Sequence, residues 1–307
     1  MKMPTLTIVI LAALLISLSG CDNGGGSSTA PQALGSPARV AAVDSGADIV
    51  VTDYSEDKFC LIDKSTLAVS SCFTAKGQPT GIAYVDFDGG RYYVGNKSVR
   101  SVDIYDAQGN LLGHLGGSIG LFGRVNDLAY DSVDQQLFVL DSERKEIKLY
   151  ELDGSFTGVS FGPGVLIRPT AIDYDPVSGS LFVSDFGDPA SGILPRIKIL
   201  DQDGFELDEI AAIETGGLLN REQTFSSPQG MAIYNGHLFV VDSGPSEVQV
   251  YNLATKAQVK VIGILGEGDG KLFYPLDVFV DPSNGDVFVT DNRNGRVAVY
   301  RGEGEVP

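Results

Sequence analysis

Pro275-Leu276-Asp277-Val278 opens a segment that continues through Val287-Phe288-Val289-Thr290-Asp291 and ends in Arg296-Val297-Ala298-Val299-Tyr300. The same opening, Pro-x-x-apolar or close to it, recurs at Pro37-Ala38-Arg39-Val40, Pro79-Thr80-Gly81-Ile82, Val125-Asn126-Asp127-Leu128, Pro169-Thr170-Ala171-Ile172 and Pro228-Gln229-Gly230-Met231. Behind each opening a second run closes on Asp or Asn, at Asp53, Asn96, Asp141, Asp185, Asp242 and Asp291. Units of about forty residues that hold several short strands each mark a β-propeller. The register therefore predicts an all-β chain with six four-stranded antiparallel blades.

The runs between turns are rich in β-branched and aromatic residues, as in Leu137-Phe138-Val139-Leu140 and Leu238-Phe239-Val240-Val241. The second runs are apolar on both faces, as expected where sheets stack on both sides, and the third alternate, as expected toward the rim. Turn signals separate them: Asp175-Pro176-Val177-Ser178-Gly179, Asn235-Gly236, Asp153-Gly154 and Asp281-Pro282-Ser283-Asn284-Gly285. Asp, Asn and Gly suit such hairpins through side-chain hydrogen bonds and positive φ.

Gly263-Ile264-Leu265-Gly266-Glu267-Gly268-Asp269-Gly270-Lys271-Leu272-Phe273-Tyr274-Pro275, followed by Asp277–Asp281, Asp286–Asp291, Asn294 and Arg296–Tyr300, resembles an NHL repeat with its leading inter-blade loop. Looser copies cover residues 37–301. The resemblance implies a six-bladed propeller and carries over no catalytic residue, because the NHL motif positions are structural. In this reading the Asp that closes each second strand caps the turn that follows it.

The first residues belong to a different class. Lys2 precedes an apolar stretch from Thr5 to Leu18, too short for a stable membrane span. Leu18-Ser19-Gly20-Cys21 matches a bacterial lipobox, so Cys21 is expected to carry lipid. The competing reading is an N-terminal anchor helix with an unrelated Cys. Asp22 to Ser28 reads as a flexible spacer. The expected organisation is a signal peptide over 1–20, a lipidated Cys with Gly/Ser tether and closing strand over 21–36, and a propeller over 37–307. Thr29 to Gly35 is expected to pair with Arg296–Tyr300 and close the ring, because Gly302 to Pro307 is too short to add a fourth strand. The expected location is a bacterial cell envelope. Asp22 after the lipidated Cys resembles an inner-membrane retention signal, which would place the domain on the periplasmic side of the inner membrane in a cell with two membranes.

Charge narrows the partners. The chain carries 22 Lys plus Arg against 40 Asp plus Glu, a net charge of −18. Such a surface disfavours nucleic acid and anionic headgroups and suits basic partners, cations or plain solvation. The expected state is a monomer that meets the membrane through its lipid alone and binds a protein or small molecule. Apart from Cys21, Cys60 and Cys72 form an even pair in a compartment that permits disulfides, placed on the third and fourth strands of one blade.

Catalytic motifs are absent from the sequence. Its two histidines, His114 and His237, fall in different units, and no nucleophile elbow, metal motif or phosphate loop is present. The channel column holds the remaining candidates: Arg39, Asp127 and Asp277 at the third position of their openings, and Asn126 beside them. Asp173 stands where Ala41, Ala83, Ala129 and Ala232 stand in other units. Converging carboxylates and amides could hold Ca²⁺, the one cofactor entertained, and with it the alternative of a Ca²⁺-dependent hydrolase or lactonase. The other outcome is that Asp277 pairs with Arg39 across adjacent blades and Asp173 bonds to backbone. Two long insertions, Phe186 to Pro195 and Ala211 to Ser227, fall around blade 4, and both are expected to emerge on one face.

Overall fold

The computed structural model describes residues 34–43, 46–211, 214–215, 218–219 and 225–306. They form a six-bladed propeller. Five blades are four-stranded antiparallel sheets in simple order, and the sixth has three strands among the described residues. Their first strands are Pro37–Ala42, Pro79–Val85, Val125–Asp131, Pro169–Asp175, Pro228–Tyr234 and Pro275–Val280. Each first strand contacts that of the next blade, and the first blade contacts the sixth, so the ring is closed.

The core lies between blades rather than in one centre. Six clusters fill the six inter-blade spaces, for example Ala129, Phe138, Ile172 and Val183 between blades 3 and 4. The second strands are buried on both faces, as in Ser180–Asp185, where all six residues are buried. The third strands are also largely sandwiched, as in Ser101–Asp106, contrary to the expected alternation. Exposure to solvent begins at the fourth strands, such as Val69–Thr74 and Phe156–Phe161, because neighbouring blades splay apart at that radius.

Side chains also join the blades along the channel. Hydroxyl groups of Thr52, Thr80, Ser184, Ser243 and Thr290 donate to the carbonyl oxygens of Thr80, Val125, Gln229, Pro275 and Ala38, each on the next blade of the ring. A β-branched or small hydroxyl residue satisfies a carbonyl that no ladder reaches.

The Asp that closes each second strand reaches mainly backward, not to the turn that follows. Asp53 accepts from the amides of Gly35 and Ser36, Asp141 from Gly123 and Arg124, Asp185 from Ile167 and Arg168, and Asp242 from Ser226 and Ser227. Asp291 accepts from Phe273. Each clamps the segment that leads into its own blade. Asn96 breaks the rule. Its amide donates to Asp103 at 2.6 Å, and the amides of Gly77 and Gln78 turn instead to Asp57.

Cys60 lies directly opposite Cys72 in the ladder of blade 1, and the two form a disulfide with S–S 2.05 Å. The expected signal peptide, Cys21 and most of the expected closing segment lie outside the described residues. Within that segment Leu34 is described: it is buried against Val297 and Val299 in the seam between blades 6 and 1. No helix among the described residues is long and apolar enough to cross a membrane.

Candidate functional site in the propeller channel

The third positions of the six openings meet at the axis. Gly81 and Gly230 exist there because Asp127 and Asp277 crowd them from the next blade. A Cβ on Gly81 would lie 2.7 Å from Asp127 Cα, and one on Gly230 would lie 1.7 Å from Asp277 Oδ1. Each Asp in turn accepts a backbone amide from the blade beyond: Asp127 from Ile172 at 3.2 Å, Asp277 from Val40 at 2.9 Å. Blades 2 and 3 thus repeat in blades 5 and 6. Blades 1 and 4 break the pattern, with Arg39 opposite Ala171.

Arg39 fills the axis. Its Nη1 donates to Leu276 O at 2.8 Å, its Nη2 to Thr170 O at 2.6 Å and its Nε to Asn126 O at 3.4 Å. Its guanidinium lies 3.4 Å from Asp127 and 3.9 Å from Asp277. All three charged side chains are buried. Burial raises the pKa of Asp127 and, well beyond its usual range, that of Asp277. Arg39 opposes the shift but, at ion-pair distances beyond 3 Å, does not cancel it.

This tie divides the channel into two chambers. The first, a cavity of about 500 Å³, opens at the mouth where the second strands end. Its lining includes Arg39, Tyr54, Lys97, Arg124, Asn126, Gln229 and Tyr274. The second, about 300 Å³, is lined by apolar residues such as Ala83, Ala129 and Ala232, together with Asp127, Asp173 and Asp277. Asp173 is half-buried there. Its Oδ1 accepts from the amide of Tyr174 at 2.9 Å, and burial pushes its pKa up to about 7.

These acids do not fit a Ca²⁺ centre. Asp127 and Asp277 are spent on Arg39 and on backbone amides, and the guanidinium stands at the axis where a cation would need to sit. Asp173 lies in the same chamber without closing a cluster. Among the described residues no three His, Cys, Asp or Glu side chains are grouped to hold a metal. The histidines are apart: His114 Nδ1 is 2.7 Å from Asp103, and His237 Nδ1 is 3.0 Å from the carbonyl of Asn235.

The mouth chamber holds residues that the sequence reading did not single out. Lys97 and Tyr54 follow the residues that close second strands, and Arg124 and Tyr274 directly precede first strands. Reading those two flanking columns in register would have found them. The blade 4 loop after Asp185 emerges at this face, where Arg168 Nε donates to Gly187 O at 2.7 Å. Part of the second insertion lies outside the described residues.

Residues 274–300 match the NHL repeat. No curated protein matches the sequence. Among solved structures, a protein of unknown function from Bacteroides thetaiotaomicron is similar with a TM-score of 0.67 and 17% identity, over 91% of this chain and 72% of that one. Hydrazine synthase from Kuenenia stuttgartiensis is similar with a TM-score of 0.64 and 14% identity, over 93% of this chain and 100% of that one. At these identities the likeness is one of fold.

Proposed function

We propose that this propeller is a non-catalytic binding module, held by lipid on Cys21 at a bacterial cell envelope, with the mouth of its channel as the binding face. The observation that carries the reading is the mouth chamber itself. It is a concave site of ligand size on the axis, where loops from several blades converge. Both histidines are engaged away from it.

The anchor and the face are tested separately. Replacing Cys21→Ala should move the protein from the detergent phase to the aqueous phase, and unchanged partitioning rejects the anchor. Deleting residues 215–222 should leave the unfolding transition in place and abolish capture of a partner. A partner retained at full affinity places the site on another face. The competing hydrolase reading predicts stabilisation by Ca²⁺. The Arg39 tie predicts the same melting temperature in Ca²⁺ and in chelator.

A further inference from the structure

The charge of the mouth chamber is inverted relative to the molecule. A chain of net charge −18 lines this cavity with Arg39, Lys97 and Arg124 and with no carboxylate. Lys97 Nζ donates to Tyr54 OH at 2.9 Å and lies 5.1 Å above that ring, and it has no carboxylate partner among the described residues. The guanidinium of Arg124, exposed at the rim, likewise has none among them. At the floor, Arg39 is 6% exposed and spends three of its five N–H groups on carbonyl oxygens. The same guanidinium lies 3.4 Å from Asp127 and 3.9 Å from Asp277, so its charge is offset from the far side of the floor.

Placing Lys97 and Arg124 in one concavity without carboxylate partners focuses their field and costs self-repulsion, a cost that an anionic ligand would remove. The volume admits something the size of a mono- or disaccharide, and Tyr54 and Tyr274 offer rings at its wall. An extended polyanion would have to cross the acidic surface outside the mouth, which its own charge opposes.

We propose that the mouth chamber binds a small anionic ligand, a carboxylate- or phosphate-bearing molecule of sugar size, through Lys97 and Arg124. This rests on the reading of the mouth as the binding face. Lys97 and Arg124 supply the charge, Arg39 closes the floor, and the tyrosine rings set the shape.

The test is calorimetry and thermal shift on the purified full chain with galacturonate, glycerol 3-phosphate and neutral galactose as probes. At least one anion should raise the melting temperature in a salt-sensitive way, and galactose should not. Preference between the two anions distinguishes a carboxylate ligand from a phosphate ligand. The double variant Lys97→Gln/Arg124→Gln should bind that anion at least tenfold more weakly with an unchanged unfolding transition. Equal binding of galactose and galacturonate, binding unaffected by the double variant, or no shift with either anion at millimolar concentration overturns the proposal. Binding of galactose alone, lost in Tyr274→Ala, overturns the charge class and leaves the mouth as the binding face. Retention of a captured partner after deletion of residues 215–222 counts against that face instead.

Discussion

Arg39 and Thr170 are joined across the channel by a hydrogen bond of 2.6 Å between side chains and backbone 131 residues apart. The bond links blade 1 to blade 4, on opposite sides of the ring. The same guanidinium also reaches blades 3 and 6, so one side chain ties four blades across the axis.

Arg39→Ala should therefore destabilise the fold strongly. It leaves Asp127 and Asp277 buried beside each other without a cation, a situation that costs about 3–5 kcal/mol. Combining it with Asp277→Asn should recover part of the loss. Urea unfolding of the single and double variants measures both. Loss in the single variant should also be smaller at acid pH, where both carboxyl groups are neutral, since burial has raised the pKa of each.

Asp173 should make the protein less stable as pH rises. Burial raises its folded-state pKa to about 7, above the ordinary aspartate value of 3.8, so the folded state holds the proton over a range where the unfolded state has released it. The contribution is full below pH 3.8 and is lost as pH rises through 7. Asp173→Ala, which installs the residue found at Ala83 and Ala129, should flatten the stability profile between these limits. It should also raise the melting temperature at pH 8. An unchanged profile would show that Asp173 is solvated in the chamber.

The backward clamp predicts a sharp difference between two substitutions at Asp185. Asp185→Ala leaves the amides of Ile167, Arg168 and Gly187 without their acceptor and removes one of the two carboxylate partners of Arg196. The expected cost is on the order of 3 kcal/mol. Asp185→Asn keeps one acceptor oxygen and should cost about half as much. Equal losses in chemical denaturation would mean that charge rather than acceptor number holds the loop.

Removing the Cys60–Cys72 bridge should lower stability by about 3 kcal/mol in the chain-entropy description of a short closed loop. The two residues are cross-strand neighbours, so Cys60→Ser/Cys72→Ser should keep the native fold at room temperature. Melting curves with and without reductant should differ for the wild type and coincide for this variant.

The blades were legible because burial between two neighbours makes the second strands uniformly apolar and leaves Asp-Gly turns as the interruptions. The disulfide was legible because a hairpin places Cys60 opposite Cys72. Two features were not. The Asp at each second-strand end is flanked by a turn on one side and, about seventeen residues upstream, by a loop on the other. Only the hairpin's fold-back reveals which of these it serves. Lys97 and Arg124 sit in loops of different blades, and nothing local connects them until ring closure brings the loops around one axis. Arg39 was found as a column member paired with Asp277. Its reach to Asn126 and Thr170 depends on the width of the lumen, which no single repeat encodes.

That width gives the arginine tie a consequence for ring size. The loop clamps work within single blades and the hydroxyl links between neighbours, so neither device depends on how many blades there are. Arg39 does depend on it, because one side chain meets Asn126, Thr170 and Leu276 together only at this diameter. A seventh blade would move the far wall out of reach and strand the buried carboxylates, and a ring of only five would leave the guanidinium no room. The tie therefore counts: it penalises copying errors that the repeats, taken singly, would tolerate.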